Sequence, residues 1–230
     1  MCSRYNLTSP PDVIRAVFGL TEIEAFPPRY NIAPGQPVSI VRPAASGEPT
    51  FRLVRWGLLP GWVKDPARVS LLINARAETA AAKPSFRGAM RHRRCLVPAD
   101  GFYEWRGPPR SRVPYLFRPQ HGGPMALAGL YEHWLGADGS ELETMAILTV
   151  PANDVVRPFH DRMPLILSPH QFADWLDCSA GDGKAANQIL SETPVAAAAL
   201  RLDWVEVHPD LRNVEAEGAH LLQPENPRLL

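Results

Sequence analysis

The sequence predicts an α+β fold: one domain over residues 1–230, with a mostly antiparallel, curved or barrel-like sheet flanked by short helices. Three observations carry that reading. Strand-like apolar runs recur along the chain while helix signals are few. The 25 prolines and 16 glycines keep elements short and loops numerous. No regular alternation of strand and helix appears, which argues against a doubly wound parallel sheet.

In chain order, PPDVIRAVFG (10–19) reads as a helix, with Asp12 in its first turn and Gly19 as its stop. Strands are expected at PVSIV (37–41), FRLVRWG (51–57), SLLIN (70–74), FYEW (102–105), PYLF (114–117), MALAGLYEHW (125–134) and TMAILTV (144–150). SPHQFADWLD (168–177) reads as a helix opened by a capping box. Ser168 is the cap, Gln171 lies three residues on, and Phe172, Trp175 and Leu176 supply the apolar face. KAANQIL (184–190) is a further helix. No internal repeat or linker divides the chain, and only VAAAAL (195–200) is of low complexity.

At 230 residues, with 45% hydrophobic and 21% charged content, the chain can bury a core without disulfide staples. Its three cysteines, Cys2, Cys95 and Cys178, are odd in number and widely spaced, which fits neither a disulfide framework nor a zinc pattern. A reducing compartment is expected. Residues 1–20 carry Arg4, Asp12 and Arg15 without an unbroken apolar stretch, so no signal peptide is expected. No run reaches the length of a membrane span. The cytoplasm is the expected location, with association to the nucleoid in a bacterium.

Net charge is zero, but it is unevenly distributed. Residues 1–115 hold 17 Lys and Arg against 8 Asp and Glu, and residues 116–230 hold 7 against 16. Such asymmetry predicts a polyanion-binding surface built mainly from the first half. Its densest tract is RGAMRHRRC, with Arg87, Arg91, Arg93 and Arg94. Taken alone, that tract reads as a solvated helix end.

CSR (2–4), NAR (74–76) and HDR (160–162) each set a chemically capable residue two positions before an arginine. Residues two apart share a face of an extended segment, so Cys2 with Arg4, Asn74 with Arg76 and His160 with Arg162 form candidate pairs. In DGFYEW (100–105), alternation puts Phe102 and Glu104 on one face and Tyr103 and Trp105 on the other. A buried Glu104 would hold its proton more tightly, as a general acid requires; an edge-strand glutamate facing water is the alternative. Trp62 and Trp105 are candidate base-stacking residues, whereas Trp56 in RWG reads as core.

The opening MCSR places a thiol at position 2. Loss of Met1 would give that residue both an α-amine and a thiol. In order, MCSRY, RYNIAPGQ (29–36), RWGLLPGW (55–62), INARAET (73–79), RRCLVPADGFYEW (93–105), MALAGLYEHW (125–134), TVPAN (149–153) and HDRMPLIL (160–167) resemble the SOS response-associated peptidase family. Members of that family shield abasic sites in single-stranded DNA. The resemblance implies a compact α+β domain with a barrel-like sheet, a monomer and no cofactor or metal. It implies Cys2 as covalent nucleophile, with Asn74, Glu104 and His160 as the other active-site positions. Arg4, Arg76 and Arg162 are implied contacts to the DNA backbone, and Trp105 and Trp62 are implied to pack against bases. Val63 stands where some relatives carry a second tryptophan. The match is weakest after residue 178, where VHPDLRNVEAEG (207–218) replaces an asparagine-rich ending and receives no role.

An abasic site in its open form is an aldehyde. An α-amine, with a pKa near ~7.7 against ~10.4 for lysine, condenses with it more readily at neutral pH. The thiol then closes a five-membered thiazolidine, favoured because both groups sit on one residue. Arg4 is expected to favour the thiolate. Glu104 and His160 are expected to move the protons. Two alternatives belong to other classes. One is an N-terminal-cysteine hydrolase using its own amine as base, and the other is a non-catalytic single-strand binding module. A metal enzyme ranks last, because no run has the spacing of a ligand set.

Overall fold

A computed structural model describes residues 2–108, 111–179, 181 and 183–224, except the side chains of 194–196, 198 and 199. The strands of the first half are β1 (Tyr5–Leu7), β2 (Arg29–Ile32), β3 (Pro37–Pro43), β4 (Pro49–Trp56), β5 (Asn74–Arg76), β6 (Arg94–Ala99) and β7 (Gly101–Arg106). Those of the second half are β8 (Val113–Pro119), β9 (Met125–Leu135), β10 (Glu141–Pro151), β11 (Arg162–Pro164), β12 (Ile166–Leu167) and β13 (Leu202–Glu206). The helices are α1 (Pro11–Phe18), α2 (Ala77–Ala80), α3 (Arg87–His92), α4 (Phe172–Leu176) and α5 (Lys184–Ala199).

Five strands close a barrel. β10 pairs with β4, β4 with β3, β3 with β6, β6 with β9, and β9 returns to β10. All these pairings are antiparallel except β10 with β4. β10 runs past the barrel, and its far end takes β5 in parallel on one side and β11 in antiparallel on the other. A second sheet, in the order β13-β8-β7-β1-β2, lies against the barrel and brings the N-terminal strand between β7 and β2. The predicted α+β, barrel-like, mostly antiparallel architecture is the one observed.

The interior follows from alternation. Val38, Ile40, Val54, Trp56, Leu96, Met145 and Ile147 are buried in one continuous core. Trp56 is fully buried, donates its indole N–H to the Ile73 carbonyl at 2.9 Å and meets Tyr5 edge-on at 5.3 Å, so it is core as expected. Helix α1 ends where Gly19 takes φ of 64°, a left-handed conformation that glycine adopts without strain. The Ser168 backbone N–H donates to Gln171 Oε1 at 3.0 Å, one arm of the expected capping box, although the first turn there is 3-10 and α4 is shorter than predicted.

Several elements depart from expectation. SLLIN is not one strand. Leu72 bridges Leu58, and only from Asn74 does the chain pair with β10. The helix begun by KAANQIL continues to Ala199. The RGAMRHRRC tract is a solvated patch only in part: Arg87 and Arg91 are exposed, but Arg93 pairs with Glu132 at 2.8 Å and Arg94 is 1% exposed. Arg94 opens β6 and donates to the carbonyls of Met90 (2.8 Å), Trp175 (2.7 Å) and Asp177, at the C-terminal ends of α3 and α4. A buried guanidinium is tolerated because it satisfies carbonyls that helix ends leave open.

Replacing Arg94 strands those carbonyls in the core. Arg94→Ala is expected to lower the free energy of unfolding by about 3 kcal/mol in urea titrations. A loss below about 1 kcal/mol would show the carbonyls to be satisfied without it.

Candidate active site

Strand β1 places the start of the chain inside the protein. Cys2 is fully buried, and its carbonyl accepts a hydrogen bond from the Asn74 side-chain Nδ2 at 2.8 Å. Asn74 stands at the head of β5, opposite Ile147 of β10. Its Oδ1 is buried and has no hydrogen-bond partner among the described residues. That leaves an acceptor beside the first residues of the chain.

Glu104 reaches the same place from β7, the neighbour of β1. Alternation holds as predicted. Phe102 faces the main core, while Tyr103 and Trp105 enter a second cluster with Val207, Leu211 and Leu221. Glu104 is buried, and burial pushes its pKa from 4.5 up to about 7. The charge of Asp161 acts in the same direction. The Cys2 thiol is also pushed well up, first by burial and then by the Glu104 carboxylate. Arg4 does not create a thiolate there, contrary to expectation. Its guanidinium turns away to Asn31 Oδ1 and to the Leu211 carbonyl at 2.8 Å.

The HDR segment supplies the third wall. Phe159 anchors it, with its ring 4.9 Å from Tyr115, 5.0 Å from Phe117 and 5.2 Å from Trp204. The next residue, His160, is half-buried, and desolvation lowers its pKa. Its Nδ1 accepts the Arg162 backbone N–H at 2.9 Å and lies 2.8 Å from Asp161 Oδ1. The two contacts suit the two charge states. The neutral ring bonds the backbone and carries its proton on Nε2, and the cation pairs with Asp161.

The arginines divide. Arg76 is exposed at the end of β5, opposite Thr149. Arg162 opens β11 opposite Pro151, on the other flank of β10. Its Nη1 and Nη2 bond Glu78 Oε1 and Oε2 at 2.6 and 2.9 Å, and Nη2 also reaches the Thr149 carbonyl. That fork holds the Glu78 carboxyl below its ordinary range. Arg4 is 8% exposed and bonded inside the protein, so it stands as a strut rather than as a solvent-facing cation. Trp105 is half-buried, with the Arg4 guanidinium 6.0 Å from its ring. Trp62 is 65% exposed. Its neighbour Val63 is buried against Leu59 and Trp134 and accepts the Trp134 indole N–H at 2.6 Å, so valine anchors the loop that presents Trp62.

Sequence reasoning missed three contributors. Glu78 lies within the INARAET block, but nothing local says that its partner is 84 residues away. Phe159 reads as one aromatic among many. The segment after residue 207 carried no signal, yet Leu211 holds Arg4, and Asn213 and Ala216 accept from Asn31 Nδ2 at 2.8 and 3.0 Å. The three cysteines are free, with Cys2 and Cys95 buried. Among the described residues no helix is long and apolar enough to cross a membrane.

A family model described as SOS response associated peptidase (SRAP) matches residues 1–214. The chain is 39% identical over 181 residues to the abasic site processing protein YoqW of Bacillus subtilis (strain 168), covering 77% of this chain and 80% of that one. It is 33% identical over 203 residues to the abasic site processing protein YedK of Escherichia coli (strain K12), covering 85% and 84%. A crystal structure of a protein from Bacteroides thetaiotaomicron shares the fold, with a TM-score of 0.79 at 24% identity over 98% of this chain and 100% of that one.

A carboxyl whose pKa rises on folding from 4.5 to about 7 weakens the fold as pH rises across that window. The unfolded chain releases its proton first, and the penalty is complete above the folded value. Glu104→Gln removes it. Urea titrations at pH 5 and pH 8 are expected to show wild type losing about 2 kcal/mol more than the variant. Equal losses would mean that Glu104 is not buried as described.

Proposed function

Because the chain belongs to the SOS response-associated peptidase family, we propose that it captures abasic sites in single-stranded DNA covalently, through Cys2 once Met1 is removed. The observation that carries this reading is the Cys2 backbone held by Asn74 beside a carboxyl tuned near neutrality. An acid that is half ionised at working pH suits a reaction needing proton delivery and then proton removal.

The order of steps follows from the electrostatics. The buried thiol stays protonated, so the α-amine attacks the C1′ aldehyde first. Glu104 protonates the departing hydroxyl, water leaves, and an iminium that keeps the nitrogen's own hydrogen remains beside the Glu104 carboxylate. The thiol gives its proton to that carboxylate, and sulfur bonds C1′ as the C=N π pair returns to nitrogen. Aldehyde, amine and thiol become a thiazolidine and one water. Asn74 Oδ1 is suited to accept from the amine, and the neutral His160 Nε2–H to donate to a sugar oxygen. Arg76 and Arg162 flank one end of β10, a placement that suits two contacts to a DNA backbone, and exposed Trp62 offers a face to a base.

Intact mass after mixing tag-free protein with an abasic oligonucleotide tests the reading. The expected product is the chain without Met1, joined to DNA with loss of one water. Cys2→Ala should give no adduct that survives denaturation, and Glu104→Gln should slow capture about 100-fold. A stable wild-type-yield adduct from Cys2→Ala would overturn the scheme. Turnover of an unrelated peptide, lost in Cys2→Ala, would place the chemistry with the N-terminal-cysteine hydrolases instead.

Phosphate binding at Arg162 requires exchange with Glu78. Glu78→Gln is therefore expected to tighten single-strand binding a few-fold and to steepen the slope of log K against log salt by up to about 0.7. Unchanged affinity and slope in fluorescence-anisotropy titrations would remove Arg162 from the DNA contact.

A further inference from the structure

The segment after residue 207 brings together three side chains that the reaction does not use. His208 and Asp210 belong to one 3-10 turn and its cap (Pro209–Arg212), and His220 to a second (Ala219–Leu222). One ligand atom from each lies within 4.8 Å of the others. The spacing His-x-Asp followed by a histidine ten residues on is no familiar ligand pattern, and only the fold closes it. We propose that His208, Asp210 and His220 bind a divalent transition-metal ion that fastens the two turns together.

The donor set selects the ion. Two imidazoles and one carboxylate suit Zn2+, Co2+ or Ni2+, whereas Ca2+ and Mg2+ prefer oxygen alone. His208 Nδ1 lies 3.5 Å from Asp210 Oδ2. Two ligands about 2.0 Å from one tetrahedral ion stand roughly 3.3 Å apart, so this pair needs little adjustment. His208 Nδ1 accepts the Asp210 backbone N–H at 3.2 Å, which turns this nitrogen toward Asp210. The metal would replace this long hydrogen bond. Gly218, at φ of 124°, leaves room for the His220 ring: a Cβ there would lie 3.1 Å from its Nδ1. Asp210 and His220 are exposed, so both can close on an ion and water can complete its coordination.

The location gives the ion a structural task. The His208 backbone N–H already donates to the Leu221 carbonyl at 3.3 Å, the direct link between the two turns. The first turn and the segment joining it to the second carry the carbonyls of Leu211, Asn213 and Ala216 that hold Arg4 and Asn31. A metal clamp would stiffen that support from outside.

Calorimetric titration of the tag-free, chelator-stripped full chain with ZnCl2 tests the proposal, with Co2+ absorption as a second readout. One equivalent should bind. His220→Gln and Asp210→Asn should each weaken binding at least about tenfold, while leaving the metal-free urea midpoint unchanged. Zn2+ should raise the wild-type midpoint and not that of either variant. Absence of saturable binding would overturn the proposal. So would full binding retained by the double variant, which would put the ion on cysteine thiols instead. The titration uses no DNA, so its result is independent of the crosslinking reading.

Discussion

Everything in the site depends on the burial of a residue at the very start of the chain. Chain ends normally fray, because a few residues cannot bury enough surface to offset their ordering entropy. Here β1 is an interior strand, paired on both sides, and Tyr5 and Leu7 are buried with it. Cys2 inherits a fixed position from that strand and from the Asn74 amide. The same burial raises the thiol and Glu104 pKa values together. A chain start in solvent would have a more acidic thiol and no defined geometry. In this protein positional order is gained at the expense of thiolate, and under the proposed function a route that begins on the amine makes that exchange tolerable.

Arg4 shows how the order is maintained. Two residues past Cys2, it spans to a carbonyl 207 positions later in the chain. Asn31 from β2 bonds both Arg4 and the same late segment. First strand, second strand and final turns therefore form one polar layer beneath the site, and Tyr103 closes its edge by donating to the Tyr30 carbonyl at 2.7 Å. A charged side chain spent on backbone carbonyls is costly to desolvate unless all its partners are present. This couples the end of the chain to the geometry at its beginning.

What was legible in the sequence was periodic or local. Strict alternation in FYEW fixed the two faces of β7, and with them the direction of Glu104. The capping box and the Gly19 stop depend on three or four neighbouring residues. The three X-x-Arg segments were legible as candidate pairs because each carries its pair within three positions; the structure brings NAR and HDR to opposite flanks of one strand, whereas in CSR Arg4 turns away from Cys2. What was not legible is the partner of each charge. Arg94 and Arg4 look like surface cations because their acceptors are carbonyls, which no residue type announces. Glu78 is two residues from Arg76 yet pairs with Arg162, a choice made by β10 lying between them. Strand β6 was hidden by an arginine at its head and a proline within it. The final turns were silent because their apolar contacts, Val207, Leu211 and Leu221, are few and irregularly spaced.

Asp161 links the charges of the site to its proton chemistry. It is largely exposed, yet it raises both Glu104 and His160. A single negative charge at that position moves both candidate proton carriers toward their acidic forms. Under the proposed function, DNA phosphates arriving at Arg76 and Arg162 would act in the same sense, and more strongly once water is displaced from between the charges. Burial is the largest cause in both cases: it pushes Glu104 up to about 7 and lowers the pKa of His160. Substrate charge then shifts Glu104 toward the proton donor needed to expel water from the first adduct. As the imine forms, its positive charge pulls Glu104 back toward the carboxylate that accepts the thiol proton. Under the proposed function, a carboxyl poised near neutrality permits both movements, while Arg162 is bonded to Glu78 and a carbonyl and Arg4 to Asn31 and a carbonyl.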